Sequence, residues 1–433
     1  MSLTAIAFLA AYFGCLFRAF SKDPKWGVYA YLLAFYAHPV GRWWGQSLPD
    51  LRWSFLAALV TLVAVFFSKK KGRWLSSKES KYYLVFLLYL IVQYLWVLNS
   101  AFHTIFVLLV VKYFILILLI QQCLKTKEDV IGFIICNALG ALYFGYLGYS
   151  YGGGRLEGVG GPSVESANGL GQHLSILLVI SSYLLLIKIG KIKYLLLFAV
   201  LVILNTIMLT ESRGALLSLV LTGVVAIFFV PPGVKKVFFS LAILGAVAFA
   251  LLMGPQIIER FKSTQKNSYG EIQDKSAASR LVIIKAQYEI FKENPLLGQG
   301  HRTTLILSPF YIPQEYLSKV KSGGQVLQRR ASHNFLMGML TDHGIIGVTL
   351  YALICSSFIK SLLKVRKVIK AEAKVDNELL LIQAGLCLGF VCYLIAGMFS
   401  NNKIFEIAVW LIALIPITNR LLEQSLTRNQ NAN

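Results

Sequence analysis

Long apolar runs follow one another along most of this chain and leave little else for it to fold into. A helix that crosses a lipid bilayer needs about 20 mostly apolar residues, because every backbone polar group inside the hydrocarbon must be satisfied within the helix. The second run is short and Pro39 ends it, so the sequence predicts an all-α polytopic membrane protein with 12 or 13 transmembrane helices. The runs are 3–20, 26–40, 52–68, 81–99, 103–122, 130–150, 169–188, 193–210, 213–231, 236–254, 333–361, 378–399 and 404–421.

Composition agrees with a membrane protein and argues against a nucleic-acid partner. Of the 433 residues 57% are hydrophobic and 14% charged, and the formal net charge is +22. The Lys and Arg residues fall mostly in short loops, which is typical of cytoplasmic loops that also bind anionic membrane lipids. The six cysteines lie in or beside apolar runs without metal-ligand spacing. The cysteines therefore predict neither a disulfide framework nor a zinc site, and no residue pattern predicts a cofactor.

The basic residues in short loops also predict which segments face away from the cytoplasm. If 13 segments alternate, all of these loops lie on one side. The opposite, non-cytoplasmic side then receives a short loop at 152–171, the turn from Thr210 to Gly214 and a long loop at 254–332. The basic loops are those with Lys22 and Lys25; Lys69, Lys70, Lys71, Arg73 and Lys78; Lys125 and Lys127; Lys188, Lys191 and Lys193; Lys235 and Lys236; and Lys364, Arg366, Lys367 and Lys370.

The long loop is predicted to be helical and to lie on the membrane-spanning bundle. From Ser279 to Glu293, apolar residues recur at close to helical spacing, and Asn294-Pro295 ends the run. The predicted apolar face consists of Leu281, Ile284, Tyr288 and Phe291. No internal repeat is present, so residues 1–433 are expected to form a single integral membrane domain.

Two arginines stand at predicted helix starts, where a cation is locally unfavourable unless an anion lies nearby. Arg213 begins the ninth helix, and Arg280 begins the helix of the long loop. Glu211 is one candidate anion, and it is equally placed to orient Arg213 or assist a proton transfer. A bound phosphate is the other candidate, because the planar guanidinium forks onto phosphate oxygens. For either arginine alone, an ordinary salt bridge is as good an explanation.

His333 stands where the long loop re-enters the membrane, within Ser332-His-Asn334. A neutral imidazole there is suited to accept a proton from a hydroxyl group. The alternative is that the three residues only cap the helix, which Ser332 or Asn334 would do better than histidine. The residues by themselves leave both roles open.

Further polar residues are candidates for substrate contacts. Arg155 and Asn168 lie in the glycine-rich short loop, and Arg302 follows His301 in the long loop. Lys112 falls in the middle of an apolar run, where a charge costs about 2.5 to 3.5 kcal/mol. We expect Lys112 to face the bundle interior, as a structural pair or as part of an anion pocket.

An ordered series of motifs resembles the O-antigen ligase and polymerase superfamily of bacterial membrane glycosyltransferases. The resemblance covers much of the chain after Gly154 and implies a GT-C-like fold. The N-terminal region is more loosely similar to variant ligases. The series is Glu211-Ser-Arg-Gly214, Ser279-Arg-Leu281, Asn294-Pro-Leu-Leu-Gly-Gln-Gly300, Ser332-His-Asn334 and Asp342-His-Gly-Ile-Ile-Gly347.

The resemblance implies metal-independent, inverting transfer of a glycan from undecaprenyl pyrophosphate to an acceptor hydroxyl. Arg213 and Arg280 match the arginines thought to hold the pyrophosphate, and His333 matches the histidine thought to activate the acceptor. Asn334 lies beside that histidine and is a candidate substrate contact. The implied location is the bacterial inner membrane, with the active site facing the periplasm.

The acceptor stays open at this point, because ligase and polymerase differ in the acceptor and not in the pyrophosphate clamp. The candidates are a glycolipid such as a lipid A core, a second lipid-linked repeat unit, or a protein hydroxyl. A transporter of lipid-linked sugars is a different class that also has many helices and intramembrane charges.

Overall fold

The structure is a computed structural model that describes residues 1–69, 72–252, 275–322, 325–371, 375–403 and 405–430. Lys70 and Lys71 of the predicted basic loops, and the part of the predicted long loop at 254–274, lie outside the described residues.

Ten helices precede the long loop and follow the predicted runs closely. Polar capping residues set the starts of several of these helices. Ser77 caps α4, Asn99 caps α5, and Thr126 forms a reciprocal capping box with Asp129 at α6. The helices are α1 Leu3–Ser21, α2 Lys25–Ala37, α3 Trp53–Phe67, α4 Lys78–Val92, α5 Ser100–Cys123, α6 Lys127–Ser150, α7 Ala167–Leu184, α8 Ile192–Leu209, α9 Arg213–Ala226 and α10 Lys235–Leu252.

The described part of the long loop contains two α-helices and, unexpectedly, a β-hairpin. Helix α11 spans Lys275–Glu293 and α12 spans Thr303–Tyr311. Strands β1 Ser318–Ser322 and β2 Gln325–Arg329 pair antiparallel, from Ser318 opposite Arg329 to Ser322 opposite Gln325. The sequence predicted a helical loop and did not predict this hairpin, because its five-residue strands are too short to stand out in the sequence. Helices α13 Phe335–Lys370, α14 Asn377–Gly397 and α15 Glu406–Gln430 complete the chain.

The all-α polytopic class is confirmed. Each of the thirteen predicted runs coincides with a described helix, and seven helices are long and apolar enough to cross a membrane. The number of membrane spans remains a prediction, because other apolar helices, such as α3, are shorter than these seven. The short loop predicted at 152–171 ends earlier, at Ser166, whose side chain caps α7.

Helices α7 and α14 form the centre of the bundle. Nearly every residue of both is buried. Small residues let their backbones approach: an added Cβ on Gly385 would lie 2.7 Å from Cβ of Tyr183, and one on Gly389 would lie 2.8 Å from Cγ1 of Ile180. The remaining helices pack around this pair.

The loops separate into two ends, as the charge pattern predicts. At the basic end, Lys127 pairs with Asp376 at 2.9 Å and with Glu378 at 2.8 Å, and Lys25 pairs with Asp129 at 2.7 Å. The loops predicted to be periplasmic contact one another at the opposite end, which we call the polar-loop end. Its membrane side stays a prediction.

Helix α11 is amphipathic, but its buried face differs from the predicted one. Ile283, Ala286 and Ile290 are buried, whereas Leu281 and Tyr288 are 54% and 55% exposed. The face that packs on the protein also contains the buried Gln287, which a purely apolar criterion passes over.

Helix α13 is broken at Gly344, whose φ of 63° and ψ of −171° are accessible essentially to glycine alone. The segment Pro295–Gly300 docks into the break. Backbone N–H groups of Ile345 and Ile346 donate to the carbonyls of Pro295 and Leu296 at 2.8 and 3.1 Å, and Gly300 N–H donates to the Asp342 carbonyl at 2.8 Å. Backbone groups left unpaired by the break are thereby satisfied inside the protein.

Candidate functional site

The ninth helix starts with Arg213, as predicted. Ser212 caps it by accepting a hydrogen bond from Ala215 N–H, and Glu211 adopts a positive φ of 50° to make the turn. The helix start is packed tightly, because an added Cβ on Gly214 would lie 2.7 Å from Cβ of Phe399. In the sequence Glu-Ser-Arg-Gly, the glutamate therefore makes the turn, the serine caps the helix, the arginine supplies a positive charge, and the glycine allows close packing against Phe399.

At the start of α13, capping is done by Asn334 and not by His333. Asn334 Oδ1 accepts from Met337 N–H at 2.9 Å, and Ser332 Oγ donates to the Asn334 carbonyl at 2.8 Å. Ser332 is in turn held by the buried Gln287 of α11, whose Nε2 donates to Ser332 Oγ at 2.9 Å. His333 therefore lies in a segment that is held by hydrogen bonds of Ser332 and Asn334, and its own side chain is not needed for them.

These two helix starts meet on consecutive residues of the turn between α14 and α15. Asn334 Nδ2 donates to the Met398 carbonyl at 3.1 Å, while Gly214 packs against Phe399. The turn also presents the half-buried Asn401, whose Oδ1 has no hydrogen-bond partner among the described residues. Residues more than a hundred positions apart in sequence are therefore brought to one location.

Two arginines lie near enough to His333 for their charges to act on its imidazole. Burial, followed by the positive charges of Arg330 and Arg280, lowers the pKa of the His333 imidazole to about 4. The ring is therefore neutral near pH 7 and has a nitrogen available to accept a proton. The structure thus brings the predicted Arg280 and His333 together.

Arg330 is a neighbour of His333 that sequence reasoning missed. Its guanidinium donates to Ser318 Oγ at 2.6 Å and to Ser279 Oγ at 3.3 Å, and so joins the hairpin to the residue before Arg280. Its Nε is buried with no hydrogen-bond partner among the described residues. The available signal was its position three residues before His333.

Arg280 lies in the second turn of α11 and not at its start, because the helix begins at Lys275. The prediction that Arg280 opposes a helix terminus is therefore wrong. Arg280 remains a candidate site residue for a different reason: its positive charge, together with that of Arg330, acts on the His333 imidazole.

Arg155 and Asn168 fasten the short loop to the turn before Arg213. Arg155 Nη2 donates to Asn168 Oδ1 at 2.8 Å, and Nε donates to the Thr210 carbonyl at 3.2 Å. Arg155 also pairs with Glu157 at 3.2 Å, and Glu157 accepts from Ala167 N–H at 3.0 Å. Through these contacts, Arg155 and Asn168 stabilise the turn that contains Glu211 and precedes Arg213.

Two other predicted contact residues lie in different surroundings. The Arg302 guanidinium lies over the Phe102 ring, 5.0 Å from its centroid. Lys112 is exposed along a groove beside α3 and α5. The expectation that Lys112 faces the bundle interior is therefore wrong, and neither residue is shown beside His333.

A buried polar cluster lies behind the site. Potential ligand atoms of His301, Asp342 and His343 lie within 4.8 Å of one another. The Lys403 ammonium group forms an ion pair with Asp342 Oδ2, and His343 Nδ1 is hydrogen-bonded to Gln93 Oε1 at 2.9 Å. A cation of the chain itself therefore neutralises the carboxylate, and the cluster serves to join the loop after α11 to α13.

The arrangement combines fixed positive charge with a neutral base. Guanidinium groups stabilise negative charge that develops on phosphate oxygens, and an imidazole in hydrogen-bond reach removes a proton from an attacking hydroxyl. Group transfer from a phosphorylated leaving group is the chemistry that this combination suits.

Residues 197–352 match a family model described as "O-Antigen ligase". The matched stretch begins within α8 and ends within α13, so it includes Arg213, Arg280, Arg330 and His333. The match, which covers about a third of the chain, supports the superfamily that the ordered motifs indicated. No curated protein matches the chain.

Proposed function

We propose that this protein, a part of which matches an O-antigen ligase family model, transfers a glycan from a polyprenyl-pyrophosphate carrier to an acceptor hydroxyl at the polar-loop end of the bundle. The family supports a membrane glycosyltransferase of this general type acting on lipid-linked glycans. The observation that carries the proposal is that Arg280 and Arg330 lie near enough to His333 for their charges to lower the pKa of its imidazole. Undecaprenyl pyrophosphate in a bacterial inner membrane, with the site facing the periplasm, is the donor and location that we propose.

The proposed reaction is a direct displacement at the anomeric carbon. The acceptor oxygen forms a bond to this carbon while the carbon–oxygen bond to the pyrophosphate breaks, which inverts the configuration. The bonding electrons leave with the polyprenyl pyrophosphate, and the acceptor proton passes to the His333 imidazole. Arg213 and Arg280 stabilise the charge that develops on the leaving pyrophosphate.

Donor binding and the basicity of His333 are coupled in this proposal. Without donor, Arg280 and Arg330 oppose protonation of the imidazole. A bound pyrophosphate brings negative charge to the same arginines and offsets their effect, so the pKa of His333 rises. The histidine therefore becomes a stronger base when the donor is in place.

The decisive experiment measures glycan transfer in vitro with purified full-length protein and the lipid-linked donor. We expect His333→Ala to lower the transfer rate by about 10² to 10⁴, the usual contribution of a general base. Arg213→Ala is expected to lower kcat/KM by about 10² or more, since it removes a charge-assisted contact to the leaving group. Undiminished activity of either variant rules out that residue's role.

A polymerase of the same superfamily is the second candidate, and a protein O-oligosaccharyltransferase is the third. Both retain the same pyrophosphate clamp, so the product distinguishes them. Elongated lipid-linked repeats indicate the polymerase, and glycosylated protein indicates the third activity. A transporter is the remaining class, and movement of the lipid-linked sugar across liposomes without any new glycosidic bond would establish it.

A further inference from the structure

Helices α2, α3 and α5 line a groove of about 590 Å³, whose lining does not include His333 or the two arginines near it. We call it the α3–α5 groove. Both α3 and α5 contribute a stripe of side chains at the spacing of one helix face. Transmembrane helices associate by packing such stripes together, so the groove is shaped to receive a third helix. The stripes consist of Phe55, Leu59 and Leu62 of α3 and of Leu109, Lys112 and Leu116 of α5.

Lys112 lies halfway along α5. It is the thirteenth of the 24 residues of this helix, which is long and apolar enough to cross a membrane. At 1.5 Å per residue, each end of the helix is about 18 Å away. The other charged residues of the lining, Asp50, Arg52 and Glu406, lie before α3 or at the first residue of α15. Lys112 is therefore the one charge of the described lining that lies deep within a membrane-spanning helix.

No acidic residue of the described chain forms an ion pair with Lys112 within 4 Å. Its side chain is exposed to the groove. Two other lysines show the usual arrangement: Lys127 pairs with two carboxylates at the basic end, and the buried Lys403 pairs with Asp342. Charged side chains inside a membrane normally pair with another charge, so Lys112 indicates an anionic partner from outside the chain.

The depth of Lys112 favours a protein carboxylate over a lipid phosphate as this partner. Lipid phosphates lie outside a hydrocarbon core about 30 Å thick, and hence about 15 Å or more from its middle. A lysine side chain can bend toward that boundary, but from the middle of a helix it covers only part of the distance. A carboxylate on a neighbouring transmembrane helix can instead lie at the same depth as the ammonium group.

A second copy of this chain does not offer such a carboxylate among its described residues. In the membrane-spanning helices, most acidic residues lie in the first turn. The exceptions, Asp342 and Glu423, already pair with Lys403 and Lys364. The partner is therefore expected to be a different protein.

We propose that the α3–α5 groove receives a transmembrane helix of another protein, whose apolar face packs on the two stripes and whose Asp or Glu, halfway across the membrane, pairs with Lys112. This partner site lies outside the proposed transfer reaction and does not depend on it. The apolar side chains supply the packing, and the lysine selects a helix that carries an acid at the matching depth.

A second groove provides a matched control. It is bordered by α7 to α10, has a volume of about 350 Å³, and has no charged residue in its described lining. Leu244 of this groove is 43% exposed, close to the 46% of Leu59 in the α3–α5 groove. An apolar helix or a lipid tail can occupy the second groove, but nothing in its lining selects an acidic side chain.

The first test is photo-cross-linking of the full chain in lipid nanodiscs, with a benzophenone amino acid in place of Leu59 or Leu244. The probes are synthetic leucine–alanine transmembrane peptides with Asp, Asn or Leu at the centre. We expect the Asp peptide to label position 59 several-fold more than the other two, and all three to label position 244 equally. Lys112→Met should remove the preference, and Lys112→Arg should keep it. Equal labelling of position 59 by the Asp and Leu peptides, or a preference that survives Lys112→Met, overturns the proposal.

The second test asks whether a lipid phosphate takes the place of the carboxylate. Nanodiscs contain phosphatidylcholine with an equal amount of phosphatidylglycerol, and mass spectrometry identifies the lipids cross-linked at position 59. We expect the two lipids in equal proportion, with or without Lys112→Met. Enrichment of phosphatidylglycerol that disappears in Lys112→Met assigns the charge to a lipid and overturns the proposal.

The third test is thermal unfolding of the purified protein, which contains no partner helix. Because no described residue pairs with Lys112, we expect Lys112→Leu to leave the melting temperature unchanged or to raise it. Lys127→Leu, which removes the pairs with Asp376 and Glu378, should lower it. A lower melting temperature for Lys112→Leu would show that the lysine already has a partner within the chain, and the proposal would then be wrong.

Discussion

Gly298 and Gly344 meet backbone to backbone: a Cβ added to Gly298 would lie 2.5 Å from the Gly344 nitrogen. Both residues have positive φ, 65° and 63°. This contact fixes the segment after α11 in the break of α13. Because α11 contributes Arg280 and α13 follows His333, the glycine pair helps to fix how these two candidate residues are placed relative to each other.

Replacing either glycine is expected to destabilise the protein and reduce transfer. Gly344→Ala forces a side chain into a glycine-only conformation and against the Leu296 carbonyl, at a cost of about 1 to 3 kcal/mol or more. Thermal unfolding of purified protein in detergent measures the effect. Gly223→Ala is the control, because its added Cβ meets nothing within 4 Å. Equal melting temperatures for the two variants would contradict this account.

The pH profile of transfer is expected to depend on Arg330. Since the pKa of His333 is lowered to about 4, the acid limb of kcat/KM for wild-type protein should lie near pH 4 and not near 6.5. Arg330→Gln removes a positive charge that opposes protonation, so the pKa of His333 and the acid limb should move upward. Arg329→Gln is the matched control, because Arg329 is not among the charges that shift His333. An acid limb that both variants leave in place argues against His333 as the base.

The ion pair between Asp342 and Lys403 is expected to be essential for stability. Both side chains are 3% exposed, so removing one partner leaves a buried charge uncompensated. We expect Lys403→Met to lower the free energy of unfolding by about 3 to 5 kcal/mol, and Asp342→Asn added to it to restore part of the loss. Lys364→Met breaks a largely exposed pair with Glu423 and should cost at most about 1 kcal/mol. Equal losses from the two lysine variants would show that burial is not the cause.

Charge alone is not expected to replace Arg213. Arg213→Lys keeps the positive charge but loses the planar fork that binds two phosphate oxygens, so kcat/KM for the donor should fall about tenfold or more. Steady-state kinetics with varied donor measure the fall. Arg366→Ala, which alters a cation over the Phe228 ring, should leave donor kinetics unchanged. Full activity of Arg213→Lys means that the residue acts as a point charge.

Local sequence patterns determined the membrane class, the positions of the helices and the separation of basic from polar loops. Each of these features depends on a short segment of sequence. An apolar run must be helical in lipid, Ser212 caps α9, and loops rich in Lys and Arg lie on one side of the membrane. The motifs also marked Arg213, Arg280 and His333 as candidates. Their roles in a reaction remain predictions.

Tertiary structure decided what depends on distant residues. The guanidinium of Arg330 is held in place by its contacts with Ser279 and Ser318, and Lys112 lies along a groove formed by α2, α3 and α5. The buried face of α11 was set by what it packs against, not by its most apolar stripe. A sequence pattern encodes what one segment prefers locally, whereas these placements follow from backbone contacts, such as that of Gly298 with Gly344, between segments far apart in the chain.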